Sequence, residues 1–335
     1  MPLSLLRFAF AVLPLFAASA LNAQTPAPPA SAARPAVDAT PRIGVLVPIG
    51  PPDYAILYDA LHDKKLVTDG PFTYSAGTLF GVPVVLTIQP KAGPVVRALV
   101  AITMIRDFNV RAVLYPGTSG GHLPKGEMSV GDIVLAAENV DFGNYYLSPD
   151  GKMEPGEFNN SQPLFADPKL LAMLACSAHR VADGTNLPAW FAPVRQDAHP
   201  QIFYFGIQGT STIWSDNQAF TLANMRIFHD IDEDGGWDSN LAATLFHVPF
   251  MEVSIISNSI FTFPDRSHGT PASPSGEPDS HFFAQRVSNR IALDLIDHYG
   301  RQILTGTFTT PTAAPFSPTF FDAPRNPQTL LKDCQ

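Results

Sequence analysis

A three-layer α/β/α sandwich is the fold class that this 335-residue sequence predicts. Short apolar segments, typical of buried strands, alternate along the chain with segments whose apolar residues recur at helical spacing. The connections between these segments are short. Alternation of this kind places helices on both sides of a central sheet, so the pattern predicts an α/β fold in three layers.

The N-terminus has the features of a secretory signal peptide, assigned to residues 1–23. Arg7 precedes an apolar core that begins at Phe8 and ends at Leu21-Asn22-Ala23. Because this stretch is shorter than the ~20 residues that cross a bilayer, we expect an exported, periplasmic protein without a membrane span. Residues 24–41 are rich in Pro, Ala, Thr and Ser, which predicts a disordered tether. Residues 42–335 are then expected to form a single domain.

The apolar patterns divide this domain into predicted strands and helices. Strands are expected at Ile43–Pro48, Phe72–Leu79, Val82–Ile88, Gly131–Val140, Gln201–Ile207 and Phe250–Ile256, and also from Val110 onward. Helices are expected at Tyr54–Leu61, Pro94–Phe108, Pro168–Val181, Gln218–Phe228 and Ser239–Phe246. A stripe repeating every four residues from Phe283 to Tyr299 predicts a long final helix, and residues 267–278 are expected to form a surface loop.

Charge and histidine spacing exclude several classes of function. The formal net charge is −9 and only 15% of residues are charged, without a Lys/Arg cluster, which argues against a nucleic acid polymer as partner and favours a small ligand. The nine histidines have no metal-ligand spacing with Cys or carboxylates. We therefore expect no metal and no nicotinamide cofactor, and isolated histidines such as His122 and His229 are expected to be surface or capping residues.

Two cysteines leave two alternatives open. Cys176 lies in an apolar helical segment and Cys334 is the penultimate residue. In an oxidising compartment the pair could join the C-terminal tail to the body of the domain. Two unpaired thiols are the alternative, because spacing alone does not place the two Cα atoms.

The most informative motif is a glycine-rich segment at the end of a predicted buried strand. The strand that begins at Val110 is expected to stop at Tyr115-Pro-Gly-Thr-Ser-Gly-Gly121, and Met128-Ser-Val-Gly-Asp132 follows before the next strand. Glycines at this point let the backbone approach a ligand without obstruction by side chains. The segment therefore predicts the floor of a binding pocket.

Together these two motifs resemble the nucleoside phosphorylase and nucleosidase superfamily, which makes or breaks N-glycosidic bonds. Gly209–Asn217 and Val248–Asn258 follow in the order of the family's later motifs, so the resemblance covers nearly all of Arg42–Tyr299. It is strongest to an exported branch that includes plant bark and vegetative storage proteins, and then to methylthioadenosine/S-adenosylhomocysteine nucleosidases. The resemblance implies a central mixed sheet, a small-molecule nucleoside as ligand, no cofactor and a possible homo-oligomer.

The resemblance also implies which residues contact the nucleoside. Trp214 matches the aromatic residue that stacks on the purine, and Thr118, Ser119 and Gly120 match the segment that contacts the ribose or the attacking species. Asn258 stands where the family has an Asp beside N7 of the base. An amide donates a hydrogen bond to N7 but cannot deliver a proton. The structural alternatives are a core Trp214, turn-forming hydroxyls, and Asn258 as a polar strand cap.

The family's two further carboxylates have only approximate counterparts. The ribose-binding Glu corresponds without a gap to Gly235, so Asp234 and Glu233 are the favoured candidates, ahead of Asp238. This acidic segment could instead be a solvated turn. For the carboxylate that activates water, the candidate is Asp53, in the loop after the first strand.

Three functions follow from this set of residues. The leading hypothesis is an exported nucleosidase that hydrolyses a purine nucleoside to base and sugar. The alternative is a catalytically degenerate nucleoside-binding or storage-like protein, because several acidic positions are changed. A phosphate-dependent phosphorylase is third, since Tyr115 occupies the position of a phosphate-binding Arg and phosphate needs charge-assisted donors.

Overall fold

A ten-stranded mixed sheet forms the middle layer of this computed structural model. The structure describes residues 39–48, 55–90, 93–124, 126–143, 145–150, 153–155, 163–191, 198–213, 215, 217–261, 280–308, 331–332 and 334. These residues belong to one compact unit that spans Ala36–Gln335. The expected signal peptide, the tether up to residue 38, the loop at 267–278, Asp53 and Trp214 lie outside the described residues.

Twelve strands and six α-helices make up the described part of the chain. The strands are β1 (Arg42–Val47), β2 (His62–Asp69), β3 (Phe72–Leu79), β4 (Val82–Ile88), β5 (Val110–Gly121), β6 (Ile133–Asp141), β7 (Tyr145–Leu147), β8 (Met153–Pro155), β9 (Leu164–Phe165), β10 (Ile202–Thr210), β11 (Asp232–Glu233) and β12 (Phe250–Ser259). The helices are α1 (Ala55–Ala60), α2 (Pro94–Asp107), α3 (Pro168–Asp183), α4 (Gln218–Phe228), α5 (Gly236–Leu245) and α6 (Ser280–Thr305). A short 3₁₀ turn occupies Ala189–Phe191.

The main sheet has the strand order β11-β10-β6-β12-β5-β1-β4-β3-β2, and β9 pairs with β6. Parallel pairs join β5 to both β1 and β12, whereas β12 and β6 are antiparallel, so the sheet is mixed. The short strand β11 pairs with β10 and also, antiparallel, with the end of β5. This second pairing brings β11 beside the glycine-rich segment.

Helices cover both faces of the sheet, which confirms the predicted three-layer α/β fold. Helix α6 packs with α3 and α1, and its stripe at Val287, Ile291 and Leu295 is fully or almost fully buried against one face. Helices α2 and α5 pack together on the other face, where Tyr115 and Phe250 lie in the same core cluster. Among the described residues, no helix combines the length and apolarity that would let it cross a bilayer.

Strand β5 differs from the prediction because it does not stop before the glycines. It continues to Gly121, with β12 paired along it up to Ser259 and β11 paired at its last two residues. Pairing with β12 along Gly117–Gly121, and with β11 at Gly120 and Gly121, holds this segment extended, although glycine alone has no preference for a strand. The predicted floor of the pocket is therefore part of the sheet itself.

Five strands were not predicted, namely β2, β7, β8, β9 and β11, and two of them show why. Strand β2 has the sequence HDKKLVTD, and it is an edge strand whose side chains are mostly exposed, so it has no apolar pattern to detect. Strand β11 has only two residues, inside the acidic segment, and it is a strand only because β5 and β10 flank it.

A disulfide joins Cys176 to Cys334, with the two Cα atoms 5.2 Å apart. It links helix α3 to the C-terminal end of the chain across 158 residues of sequence. Of the two alternatives that the sequence left open, the structure has the bridge.

Candidate functional site

A row of three residues crosses three adjacent strands at the glycine-rich end of β5. Asn258 of β12 is the register partner of Gly120, and Glu233 of β11 is the partner of the same glycine from the other side. Residues directly opposite each other in a sheet point to the same face. Asn258 and Glu233 therefore flank Gly120 on one face, which we call the Gly120 face.

Gly120 leaves open the space between these two polar side chains. A Cβ at this position would lie 3.2 Å from Asn258 Nδ2, closer than ordinary van der Waals contact. Thr118, two residues earlier in the strand, points to the same face and is 8% exposed. The sheet thus brings together Thr118, Gly120, Glu233 and Asn258, four of the residues expected at the nucleoside.

The orientation of the Asn258 amide is set by its neighbour. The Ser257 hydroxyl donates to Asn258 Oδ1 over 3.0 Å and also lies 3.2 Å from the carbonyl oxygen of Ser119. With Oδ1 occupied by this bond, the Nδ2 donor of Asn258 lies over Gly120. The site therefore presents a hydrogen-bond donor at one end of the row and a carboxylate at the other.

Asp234, the other candidate for the ribose, points to the opposite face. A Cβ at Gly117 would collide with Asp234 Oδ2. Gly117 lies on the face of β5 that packs against the α2–α5 layer, whereas Gly120 lies on the opposite face. The carboxylate accepts from the Tyr115 hydroxyl over 3.4 Å, from Ser254 Oγ over 3.0 Å and from the Gly235 backbone N–H over 2.5 Å. These bonds fill its acceptor sites from within the protein.

Ser119 also faces away from the row, because it alternates with Thr118 and Gly120 along β5. It is 2% exposed, and Asp232 is a fully buried residue of the same face. Burial raises the pKa of Asp232 to about 7, although the Ser119 hydroxyl and His122 oppose the rise. Glu233 and Asp232 are consecutive, and the strand geometry of β11 sends their side chains to opposite faces.

Beneath Asp234 lies a network of buried polar side chains that the sequence did not predict. Gln208 Nε2 donates to Ser254 Oγ over 2.7 Å, Asn139 Nδ2 lies 3.1 Å from Gln208 Oε1, and Asn139 Nδ2 also donates to Glu252 Oε2 over 2.6 Å. Burial, and then the charge of Asp234, raise the pKa of Glu252 well above its usual value. Such a network needs every polar partner in place, so it fixes the positions of β6, β10 and β12.

Arg97 of α2 is the cation of this face. Its Nε lies 2.7 Å from Asp238 Oδ2, and its guanidinium covers Gly235, where any side chain would collide with it. Burial raises the pKa of Asp238 to about 6 in spite of Arg97. Arg97 and Asp238 are 8% and 4% exposed, so the pair is a structural tie between α2 and α5.

His122 forms a second cluster of charges, immediately after the glycine-rich segment. Its Nδ1 lies 2.6 Å from Asp230 Oδ2, and its Nε2 lies 3.8 Å from Glu233 Oε2. Burial opposes protonation of His122, but the hydrogen bonds and charges of Asp230 and Glu233 prevail and raise its pKa to about 10. The expectation of a surface or capping role was wrong for His122, which is 6% exposed, whereas His229 does cap α4.

The Val-Gly-Asp motif contributes to the fold and not to the row. Asp132 accepts from the Ser129 backbone N–H over 2.7 Å and from the Gln201 backbone N–H over 2.9 Å. Gly131 has a φ of 92°, which favours glycine. The motif thus joins the turn before β6 to the start of β10. Among the described residues, no group of three or more His, Cys, Asp and Glu side chains could hold a metal ion.

Comparison with known proteins connects this geometry to a family. Residues 42–189 match the family model of the Phosphorylase superfamily. A 5'-methylthioadenosine/S-adenosylhomocysteine nucleosidase of Pseudoalteromonas translucida is 31% identical over 143 residues, 41% of this chain and 56% of that protein. The same-named protein of Colwellia psychrerythraea is 36% identical over 87 residues, 26% of this chain and 35% of that protein. The chain therefore matches about half, or less, of the length of these relatives.

Solved structures share the fold over most of the chain. The methylthioadenosine/S-adenosylhomocysteine nucleosidase of Neisseria meningitidis, in complex with methylthio-immucillin-A, has a TM-score of 0.57 at 17% identity, covering 76% of this chain and 98% of that one. The futalosine hydrolase of Helicobacter pylori has a TM-score of 0.58 at 15% identity, covering 76% and 97%. At these identities the likeness concerns the fold. The family model and the sequence relatives support the resemblance to the nucleoside phosphorylase and nucleosidase superfamily that the motifs predict, and the solved structures support the fold.

Proposed function

We propose that this protein is an exported nucleosidase that binds a purine nucleoside over Gly120 and hydrolyses its N-glycosidic bond with water. The observation that carries the proposal is the row in which Asn258 and Glu233 flank Gly120 on one face of the sheet. An amide donor and a carboxylate, separated by a residue without a side chain, suit a ligand that has a base at one end and sugar hydroxyls at the other. The curated relatives are nucleosidases by name, which supports the same reaction.

Each residue of the row has a chemical role in this proposal. Asn258 Nδ2 donates to N7 of the purine and stabilises the charge that develops on the departing base. Glu233 accepts hydrogen bonds from the ribose hydroxyls, and Thr118 lies on the sugar side. Trp214 as the stacking ring and Asp53 as the base for water complete the proposed site on the strength of the family resemblance.

The proposed reaction is a hydrolysis that balances without a cofactor. Water adds its oxygen to C1′ of the ribose as the bond from C1′ to the base nitrogen breaks, and the electron pair of that bond goes to the base. The proton released by water passes to Asp53, and the base takes a proton from solvent. Asn258 holds N7 throughout but transfers no proton, because an amide does not ionise in this pH range.

A second candidate function is nucleoside binding without catalysis, and specific residues favour it. Gly235, which carries no carboxylate, stands at the ungapped position of the family's ribose-binding Glu, and Asn258 stands at that of the acid. Asp234 is bonded within the protein on the other face. Loss of general acid assistance costs a factor of about 10² to 10⁴ in rate, which would leave a binding protein.

Export is part of the proposal, and two features support it. The N-terminal 23 residues have the pattern of a signal peptide. The disulfide between Cys176 and Cys334 is of a kind that persists in oxidising compartments such as the periplasm. Periplasmic fractionation of cells that express the full chain, followed by N-terminal sequencing, tests this part.

Chromatography of reaction products tests the reaction. The purified protein is incubated with adenosine, inosine, guanosine, uridine and methylthioadenosine, each with and without phosphate. Free purine released without phosphate is the expected result. Release that requires phosphate would make the protein a phosphorylase, whereas calorimetric binding of a nucleoside without release of base would make it a binding protein.

Two variants test whether the nucleoside binds at the row. Glu233→Gln and Asn258→Ala are each expected to weaken nucleoside binding about tenfold or more, because each removes one hydrogen-bonding group from the ligand. The matched control is Asp183→Asn, whose side chain is 70% exposed at the end of α3 and is expected to change nothing. Unchanged affinity in both row variants would place the nucleoside elsewhere.

A further inference from the structure

Three charged side chains lie in series from the protein interior to the row. Asp230 is fully buried, the side chain of His122 is 7% exposed, and that of Glu233 is 23% exposed. His122 lies between the two carboxylates, bonded through Nδ1 to Asp230 and facing Glu233 with Nε2. Of these three residues, only Glu233 belongs to the row.

The buried end of this series requires a positive charge on the imidazole of His122. The Oδ1 atom of Asp230 is buried and has no hydrogen-bond partner among the described residues, so His122 is the cation available to balance this carboxylate. A buried carboxylate is tolerated only when a charged or strongly polar partner compensates it. A protonated imidazole carries two N–H groups, one for Asp230 and one directed at Glu233.

The distance between His122 and Glu233 lets His122 orient the Glu233 carboxylate without occupying it. At 3.8 Å, Nε2 attracts Glu233 Oε2 as an ion pair without forming a close hydrogen bond. The carboxylate keeps its acceptor sites for a ligand. The residue opposite Glu233 in β10 is Gly209, which supplies no side chain to orient it, and a Cβ there would collide with Phe142.

We propose that His122, anchored by Asp230, is a positioning residue that holds Glu233 toward the sugar hydroxyls and thereby makes the site selective for ribose over deoxyribose. The proposal rests on the proposed function, because it takes the ligand over Gly120 to be a nucleoside. Glutamate has three rotatable side-chain bonds, and fixing them costs entropy unless a partner restricts them beforehand. A carboxylate fixed before binding gives its full hydrogen-bond strength to the ligand.

A binding cycle with stable ligands tests the proposal. The probes are formycin A, a purine nucleoside analogue whose carbon–carbon bond between base and sugar is not hydrolysed, its 2′- and 3′-deoxy forms, and free adenine. Isothermal titration calorimetry measures each against the wild-type protein, His122→Gln, Glu233→Gln and the control His298→Gln, an exposed histidine of α6. His122→Gln removes the positive charge and keeps a polar side chain.

The expected result is a loss of sugar selectivity. The wild type and the control prefer formycin A to its deoxy forms by roughly 10- to 100-fold, as hydrogen bonds to a charged group imply. His122→Gln and Glu233→Gln each bring this ratio to below about threefold, and affinity for adenine stays within about twofold. Equal weakening of all four probes in His122→Gln would show a merely structural histidine and overturn the proposal.

A double variant keeps the test decisive. If His122→Gln does not fold, the double variant His122→Gln/Asp230→Asn, which leaves no unpaired buried carboxylate, replaces it in the same cycle. Retained ribose selectivity in that variant would overturn the proposal. If the wild type binds none of the probes, the proposed function itself has failed, whereas ribose selectivity that survives in His122→Gln but not in Glu233→Gln rejects only the role of His122.

Discussion

At the scale of single residues, two glycines of one strand have opposite roles. Gly120 faces the row between Asn258 and Glu233, and Gly117 faces the buried Asp234 on the other side of the sheet. Neither has a positive φ, so both are needed for space and not for backbone conformation. The glycine-rich motif therefore leaves the row open at one position and makes room for a buried carboxylate at another.

Alanine at these two positions is expected to separate binding from stability. Gly120→Ala places a methyl group where the proposed nucleoside would lie and displaces Asn258 Nδ2, so we expect nucleoside affinity to fall about tenfold or more with little change in melting temperature. Gly117→Ala overpacks the core against Asp234 and is expected to lower the free energy of unfolding by about 1–3 kcal/mol or more. Calorimetric titration and urea unfolding measure the two effects. The reverse pattern would contradict the assignment of faces.

The amide of Asn258 limits the rate in the proposed reaction, and Asn258→Asp tests this. A carboxyl group at this position can deliver a proton to the departing base, which adds roughly 10²-fold or more to the rate of purine release. The gain requires the protonated form, so it is greatest at acidic pH and declines as pH rises through the pKa of the new carboxyl. Steady-state kinetics from pH 4 to 9 measure it. An unchanged rate, with nucleoside binding intact, would show that residue 258 does not contact the base.

At the scale of elements, the site depends on how α5 begins. Its N-cap Gly235 lies against Arg97 and its first residue Gly236 lies against Glu252, and a side chain at either glycine would collide with the neighbouring group. The N-terminus of a helix carries a partial positive charge, which stabilises the neighbouring carboxylates. The tie between Arg97 and Asp238 then holds α2 against α5 beneath the row.

Removal of one member of the Arg97–Asp238 ion pair is expected to destabilise the protein. Arg97→Met leaves Asp238 buried without its cation and should lower the free energy of unfolding by about 3–5 kcal/mol. The double variant Arg97→Met/Asp238→Leu should recover a large part of that loss, because no unpaired charge remains. Urea unfolding of the single and double variants measures the coupling, with Lys65→Met of the exposed strand β2 as a control that changes stability by less than about 0.5 kcal/mol. Strictly additive changes in the free energy of unfolding would show that Arg97 and Asp238 do not interact.

At the scale of the whole molecule, several acidic side chains are buried in the described part of the protein. Burial raises the pKa of Asp232 and of Glu138 to about 7 and that of Asp238 to about 6, from usual values of 3.8 to 4.5. The folded protein therefore holds protons on these groups at pH values where the unfolded chain has released them. Their contribution to stability is complete below about pH 4 and is lost as pH rises through 6 and 7.

Stability is accordingly expected to decrease between pH 5 and pH 8. His122 acts in the same direction, because its pKa is raised from 6.5 to about 10, so its contribution to stability is lost progressively as pH rises between these two values. The melting temperature, measured by circular dichroism at constant ionic strength, should be higher at pH 5 than at pH 8. Glu138→Gln should flatten the dependence, because the amide is neutral at every pH. A melting temperature that increases from pH 5 to pH 8 would contradict the burial of these acids.

The amino-acid sequence by itself determined the architecture of this protein. Apolar periodicity placed the hairpin of β3 and β4 and the helix α4 at their observed bounds, since these segments have either strong alternation or clear helical spacing. The glycine-rich segment and the motifs after it indicated the superfamily and the strand end where Asn258 lies. These signals are local, so they can be recognised before any long-range contact is known.

Only the tertiary structure decided how the charges are distributed around the row. Glu233 and Asp234 are adjacent in sequence and chemically alike, and nothing local distinguishes them. The pairing of β11 with the end of β5 puts Glu233 on the Gly120 face and leaves Asp234 under Gly117. The contact between His122 and Asp230 likewise spans 108 residues of sequence. Side chains alternate between faces with a period of two, so the register between distant strands, which a single sequence does not encode locally, determines which acid lies on the Gly120 face.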